Sequence, residues 1–175
     1  VHDIDMMIFM SEELGKADRA EHYRALRKEA HKYFVDTFME NGELIGKTQT
    51  DYIIAIAFDL IEGDYLKQAS EELVQKIKDN GNRLSTGFVG TYNLCPVLSK
   101  IGEDNLAYTL LMQRNEPSWL YSVDQGATTI WERWNSYTLD KGFGDVGMNS
   151  FNHYAYGSVQ EWMYRYMAGI ETDGV

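Results

Sequence analysis

The chain is poor in cysteine and histidine, with one Cys and four His in 175 residues. Because Cys95 is alone, it cannot form an internal disulfide, and its neighbours Leu94, Pro96 and Val97 indicate a small buried hydrophobic side chain rather than a nucleophile. The histidines do not stand at the spacings of known metal-binding motifs. We therefore expect no metal ion and no cofactor.

Positive charge is also scarce, since 16 Lys and Arg residues stand against 27 Asp and Glu residues, a net charge of −11. Binding of phosphates draws on a cationic patch, and the basic residues here are interleaved with acidic ones. The longest apolar stretch, Tyr52 to Phe58, is far too short to span a bilayer. The sequence predicts neither a nucleic acid nor a membrane as a partner.

The first residues, Val1-His2-Asp3, form neither a signal peptide nor a natural start. We therefore expect the chain to begin within a longer protein or after processing, and the sequence does not indicate a compartment.

Helical periodicity dominates the pattern, and β-type alternation of any length is missing. About seven or eight helical segments can be counted, joined as antiparallel pairs. Thr48-Gln49-Thr50 predicts a capped start for an apolar helix that is buried on most sides. Ser150 to Met167 predicts the last strong helix. The pattern therefore predicts an all-α fold.

The connections between these helices are of two kinds. Asn41-Gly42 and Asn80-Gly81 predict short stops, whereas other connections are longer and rich in Gly, Thr and aromatic residues. We expect the two kinds to lie at opposite ends of the molecule. The longer loops would then meet at one end, where a site can form.

The segment from Thr128 to Val159 is the most informative part of the chain. Glu132 stands between Trp131 and Trp134, and His153 follows among aromatic and amide residues. Indole faces stack on the C–H faces of sugars, while carboxylate, imidazole and amide groups bind hydroxyls. Such a pocket suits a carbohydrate. The same residues equally fit a Trp-rich core that holds a buried, hydrogen-bonded glutamate.

Five blocks in fixed order carry a resemblance to a known family. They are TQT at 48–50, STGFVGT at 85–91, PSWLY at 117–121, TTIWERW at 128–134 and MNSFNHYAYGSVQEWMYRYMAGI at 148–170. Together they resemble the C-terminal part of the catalytic domain of bacterial α-L-rhamnosidases, which are inverting glycoside hydrolases with an (α/α)6 barrel. The resemblance covers nearly the whole chain.

The resemblance implies an incomplete (α/α)6 barrel or toroid at residues 1–170, about the later two-thirds of a barrel. Residues 171–175 would be a tail toward a C-terminal domain that the chain lacks. The apolar faces of a partial barrel, on Ile4–Leu14 and Tyr52–Phe58, would be exposed and could make the chain associate.

The resemblance also implies the roles of the site residues. Glu132 would be the general base that takes a proton from the attacking water, and His153 would lie beside the sugar. The other candidates for binding substrate are Trp131, Trp134, Trp119, Tyr121, Asn152, Gln49, Thr50, Thr86 and Phe88. In the family, the general acid comes from a Gly-Asp-Trp-containing region upstream of these residues. We therefore expect little turnover from the chain alone.

The expected substrate is a terminal α-L-rhamnose on a glycoside or polysaccharide. Two other hypotheses about the function stay open. One is a sugar-binding or scaffold module without catalysis, which the absent acid favours. The other is a different (α/α)-toroid glycosidase or lyase.

Overall fold

Helices dominate the computed structural model, which describes residues 1–171. The α-helices are α1 (His2–Glu13), α2 (Ala17–Phe38), α3 (Gln49–Ala57), α4 (Gly63–Asp79), α5 (Phe88–Lys100), α6 (Asp104–Leu111), α7 (Trp119–Asp124) and α8 (Val159–Trp162). Two short hairpins join them: β1 (Met39–Glu40) pairs antiparallel with β2 (Glu43–Leu44), and β3 (Tyr137–Thr138) with β4 (Gly142–Phe143). The predicted all-α class is confirmed.

The helices form an inner and an outer layer. α3 packs against α5 in the inner layer, while α4 packs on α3 and α6 packs on α5 from outside. The apolar sequence of α3 explains its place, since it buries Tyr52, Ile53, Ala55 and Ile56. The expectation that Tyr52–Phe58 is exposed is wrong, because α4 and α5 cover that helix.

The core continues from these helices to α8. Trp162 on α8 is 1% exposed, and its indole N–H donates to Ser99 Oγ at 2.9 Å. Its ring also contacts the edge of Tyr108 on α6, at 5.3 Å between ring centroids. These contacts fix α8 beside α5 and α6, so the last helix belongs to the same packed unit.

The start of α3 is capped as the sequence predicts. Thr48 Oγ1 accepts from the Asp51 main-chain N–H at 3.2 Å, and Asp51 Oδ2 accepts from the Thr48 N–H at 2.9 Å. This reciprocal pair satisfies two donors at the helix start. It also fixes the end of the long connection between α2 and α3.

Among the connections between α1 and α6, the longer ones lead from α2 to α3 and from α4 to α5, and both carry an Asn-Gly pair. Asn41-Gly42 lies in the same connection as Thr48, and Asn80-Gly81 lies in the same connection as Thr86. The prediction that these pairs lie at the opposite end from the long loops is wrong. Asn80-Gly81 ends α4, whereas Asn41-Gly42 forms the turn between β1 and β2, and in both connections further residues lead on to the next helix.

The predicted helix from Ser150 to Met167 is wrong in its first residues. Residues 149–154 form a loop, Ala155–Ser158 is a 3₁₀ turn, and Met163–Met167 after α8 is a π-helical turn. The loop forms because its main-chain groups bond to a distant segment, near Ile130 and Glu132, instead of to the next helical turn.

Three further observations concern the limits of the described residues. Residues 172–175, most of the predicted tail 171–175, lie outside them. Within residues 1–171, no helix is long and apolar enough to cross a membrane. In the same residues, no group of three or more His, Cys, Asp and Glu side chains is placed to hold a metal ion.

Candidate functional site

The segment that carries Glu132 lies beside the segment that carries His153. The Glu132 main-chain N–H donates to Ser150 O at 2.9 Å, and the His153 N–H donates to Ile130 O at 2.9 Å. These bonds form a short, irregular ladder between two loops. The structure thus places the two predicted catalytic residues on neighbouring loop segments that are joined by main-chain hydrogen bonds.

The carboxylate of Glu132 is half-buried and held at one oxygen. Its Oε2 accepts from the Ser150 main-chain N–H at 2.8 Å. Within residues 1–171 the carboxylate forms no ion pair, not even with the adjacent Arg133. The Arg133 main chain is instead fixed by Ser136, whose Oγ accepts from its N–H at 3.2 Å. Glu132 is therefore reachable from solvent and is not neutralised by a neighbouring cation.

The ring of His153 lies between two aromatic rings. Phe88 stacks on it at a centroid distance of 4.8 Å and 19°, and Tyr154 lies parallel to it at 5.5 Å and 4°. His153 Nδ1 accepts from the Ala155 main-chain N–H at 3.3 Å. Because Nδ1 is the acceptor, the proton of the neutral ring lies on Nε2, which can donate to a hydroxyl.

A group of aromatic side chains anchors these loops to α7. Trp119 is 8% exposed, and its Nε1–H donates to the Tyr156 carbonyl at 2.8 Å. Trp134 stacks on the Tyr156 ring at 3.9 Å and 17°, and its carbonyl accepts from Ser122 Oγ at 2.8 Å. The side chains of Trp119 and Trp134 therefore mainly contact other residues of the protein.

Trp131 packs in a second aromatic group. It is 6% exposed and meets the edge of Phe151 at 5.3 Å and 70°. Between Trp131, Trp134 and α7 lies a cavity of about 90 Å³. Ligand pockets usually measure about 300–1,000 Å³. Residues 1–171 by themselves do not enclose a pocket of that size at this point.

Two predicted substrate-binding residues bond within the protein. Gln49 is 3% exposed; its Oε1 accepts from the Ser85 N–H at 2.8 Å and its Nε2 donates to Arg83 O at 3.2 Å. Thr86 is 6% exposed and shares a hydrogen bond of 2.8 Å with Thr91 Oγ1. Both residues tie the connection before α5 to the start of an inner helix.

The remaining candidates lie at different distances from the carboxylate loop. Phe88 and Asn152 adjoin His153, and Asn152 is exposed. Thr50 is half-buried on α3. Tyr121 lies on α7, where burial and the negative charges of nearby acidic side chains raise the pKa of its phenol. Phe88 and Asn152 thus share the immediate surroundings of His153, while Thr50 lies on a separate helix.

Sequence reasoning missed Tyr156 and Ser150. Tyr156 contacts Trp134, Trp119 and Phe88, so it connects both sides of the site. Its place in an aromatic-rich block was the available signal, but a long helix was expected there. Ser150 acts through its main chain, for which the side chain gives no signal.

Comparison with known proteins adds a family to this geometry. Residues 1–167 match the family described as bacterial alpha-L-rhamnosidase 6 hairpin glycosidase domain. The chain is 46% identical over 171 residues to an α-L-rhamnosidase of Formosa agariphila, covering 97% of the chain and 18% of that protein. It is 45% identical over 170 residues to an α-L-rhamnosidase of Streptomyces avermitilis, covering 97% of the chain and 16% of that protein.

Solved structures agree with this likeness. The Streptomyces avermitilis α-L-rhamnosidase, solved with L-rhamnose, aligns with a TM-score of 0.89 at 44% identity, over 96% of this chain and 16% of that one. An α-L-rhamnosidase from Aspergillus terreus aligns with a TM-score of 0.87 at 39% identity, over 94% and 19%. The chain thus spans less than a fifth of these relatives. The predicted resemblance and its α/α-barrel fold are confirmed.

Proposed function

The chain belongs to the bacterial α-L-rhamnosidase six-hairpin glycosidase family, and on this premise we propose that it forms part of a glycoside hydrolase. The proposed reaction removes terminal α-L-rhamnose from glycosides or polysaccharides. The relative solved with L-rhamnose supports this choice of sugar. The further relatives matched at significant similarity carry the same enzyme name, which favours a rhamnosidase over another toroid enzyme.

Glu132 is the proposed general base of a single-displacement, inverting reaction. Its Oε2 accepts from the Ser150 N–H, whereas Oε1 has no hydrogen bond within residues 1–171, so we propose that Oε1 takes the proton from water. The water then attacks the anomeric carbon while an acid protonates the leaving oxygen. His153, with its proton on Nε2, donates to a sugar hydroxyl nearby.

The general acid is proposed to come from a part of the enzyme outside these 175 residues. Inverting glycosidases hold their two carboxyl groups about 6.5–9.5 Å apart, with the attacking water between base and sugar. Relatives several times longer than this chain have room to supply that second carboxyl. The same parts would complete the pocket that the cavity beside Trp131 leaves too small.

One observation carries the proposal: the carboxylate of Glu132 is oriented, partly exposed and free of an ion pair within residues 1–171. A purely structural glutamate in a Trp-rich core would be sealed and fully bonded. The carboxylate also lies on the loop that pairs with the His153 segment. Base and hydroxyl donor are therefore positioned by the same ladder.

The test replaces Glu132 with Gln in the full-length protein that carries this chain, with p-nitrophenyl α-L-rhamnoside as substrate. We expect kcat to fall about 10²–10⁴-fold, because the amide cannot accept the proton. Glu71→Gln, an exposed change on α4, is the matched control and should leave kcat unchanged. Near-normal turnover of Glu132→Gln would remove Glu132 from this role.

The same enzyme tests the reaction class and His153. Proton NMR of the first product should show β-L-rhamnose, the inverted anomer. Activity on another p-nitrophenyl glycoside, with none on the rhamnoside, would favour a different toroid enzyme. His153→Ala should lower kcat/KM about tenfold through one lost hydrogen bond. His22→Ala, an exposed change on α2, should not, and equal values for the two would make His153 structural.

A further inference from the structure

Ser150 meets Glu132 twice, and both contacts use the main chain of Ser150. Its carbonyl accepts from the Glu132 N–H at 2.9 Å, and its N–H donates to Glu132 Oε2 at 2.8 Å. The two bonds close a ring through the backbone and the side chain of the glutamate. The hydroxyl of Ser150 takes no part, since its Oγ accepts from the Asn152 N–H at 3.2 Å.

This ring determines which carboxylate oxygen is available. A glutamate side chain has several rotatable bonds, and a half-buried one would otherwise sample several directions. Within residues 1–171, Oε1 of Glu132 has no hydrogen bond, whereas Oε2 is held by the Ser150 N–H. The direction of Oε1 is therefore set by a main-chain group.

The segment that carries the Ser150 N–H is itself held against the Glu132 segment. The Glu132 N–H bonds to Ser150 O, and the His153 N–H bonds to Ile130 O, both at 2.9 Å. Between these two bonds, the Phe151 ring contacts the Trp131 ring at a centroid distance of 5.3 Å and 70°. These contacts hold residue 150 beside the carboxylate.

We propose that Ser150 is a positioning residue for the reaction, whose main-chain N–H holds Glu132 so that Oε1 faces the attacking water. The inference rests on the proposed function, since it assigns a partner to the proposed base. It also predicts that the side chain at position 150 is dispensable, although the residue lies in the block that carries the family resemblance.

The experiment compares two changes at position 150 in the full-length protein. Ser150→Ala removes the hydroxyl and keeps the N–H, while an amide-to-ester change, made by incorporating the α-hydroxy analogue of serine, removes the N–H alone. We expect the ester to lower kcat on p-nitrophenyl α-L-rhamnoside about 10²-fold, because the reacting groups are misplaced. KM and the affinity for L-rhamnose should change less than about threefold, since ground-state binding is untouched.

Ser150→Ala should keep kcat within about threefold of the unchanged enzyme, since the main-chain bond survives. Ser150→Pro also lacks the N–H and provides a genetic counterpart to the ester, with circular dichroism as its check of folding. An ester enzyme with unchanged kcat would overturn the inference. An equal loss in Ser150→Ala would also overturn it, because the hydroxyl would then be the active group.

The result for Glu132→Gln distinguishes a failure of this inference from a failure of the proposed function. Full activity of Glu132→Gln overturns the base assignment and the inference together. An inactive Glu132→Gln beside a fully active ester enzyme overturns the inference alone. A rise in KM with unchanged kcat in the ester enzyme would also overturn the inference alone, because the N–H would then contribute to substrate binding.

Discussion

Hydrogen-bond geometry separates residues that can face a ligand from residues that hold the protein together. Gln49 and Thr86 direct their polar atoms to neighbouring groups of the chain and are nearly fully buried. Glu132 and His153 each use one polar atom locally and leave another without a bond in residues 1–171. All four residues lie in blocks that carry the family resemblance, so sequence similarity alone does not distinguish them.

Sequence reasoning at this scale identified residue types better than their surroundings. The chemistry and the motifs around Glu132 and His153 led to their prediction as site residues, and the structure places their two segments side by side. The surroundings of Trp119 could not be foreseen, because its indole N–H bonds to the carbonyl of Tyr156, 37 residues away. Local patterns do not contain such long-range partners.

Cys95 gives a prediction at this scale. It is 1% exposed, and burial raises the pKa of its thiol to about 12. We expect iodoacetamide not to modify the folded protein at about pH 8.5, where an exposed thiol would be partly ionised, and to modify it after unfolding in urea. Mass spectrometry measures the added group. Equal modification of folded and unfolded protein would contradict the prediction.

The same burial has a consequence for stability. The unfolded thiol ionises from about its ordinary pKa, whereas the folded thiol stays protonated up to a pKa of about 12. The folded state then binds more protons, so this group makes the free energy of unfolding fall as pH rises through that interval. Cys95→Ala should flatten the fall in urea titrations. An identical pH dependence for both proteins would exclude the contribution.

Helix α5 approaches α3 closely at Gly90. A Cβ placed on Gly90 would lie 2.6 Å from Thr50 Oγ1 and 2.9 Å from Thr86 Cγ2. We expect Gly90→Ala to lower the free energy of unfolding by about 1–3 kcal/mol, because the inner helices must separate. Urea denaturation measures the change.

Gly87→Ala is the matched control for Gly90→Ala. Gly87 precedes α5, has an ordinary φ of −84° and has no atom within 4 Å of an added Cβ. An alanine there should leave the free energy of unfolding nearly unchanged. If both alanines had the same effect, the close approach of α3 and α5 would not be the cause.

Elements with local signals were predictable, and elements that depend on distant partners were not. α3 begins at its predicted cap because the Thr48–Asp51 pair spans only three residues. The sequence predicts helix from Ser150 onward, whereas residues 149–154 form a loop. Its bond to Glu132 joins residues 18 apart in sequence, and this bond competes with helix formation.

The whole molecule combines a net charge of −11 with exposed apolar residues on its first helix. Phe9 is 41% exposed, Met10 42% and Leu14 71%. The expected exposure of the Ile4–Leu14 stretch is therefore seen in part, since Ile4, Met7 and Ile8 are half-buried, and association through the stretch stays a prediction. Like charges oppose association at low salt, and salt screens them over about 10 Å at 0.1 M.

We expect the 175-residue chain, studied on its own, to associate more strongly as salt rises. Screening weakens the mutual repulsion, while burial of the apolar face of α1 continues to favour contact. Sedimentation velocity at low and high sodium chloride measures the effect. Met10→Glu should reduce association, whereas Leu139→Glu, an exposed change far along the chain, should have less influence. A monomer at every salt concentration would contradict the prediction.

The ring between Glu132 and Ser150 closes the base of residues 133–149, which include the β3–β4 hairpin. A loop that is clamped at its base can be lengthened, shortened or exchanged without displacing the residues at the clamp. Protein engineers could therefore graft other hairpins in place of residues 137–143, while Trp134 keeps its contact with Tyr156. Evolution could vary the same hairpin, because such a change leaves the Glu132 carboxylate in place.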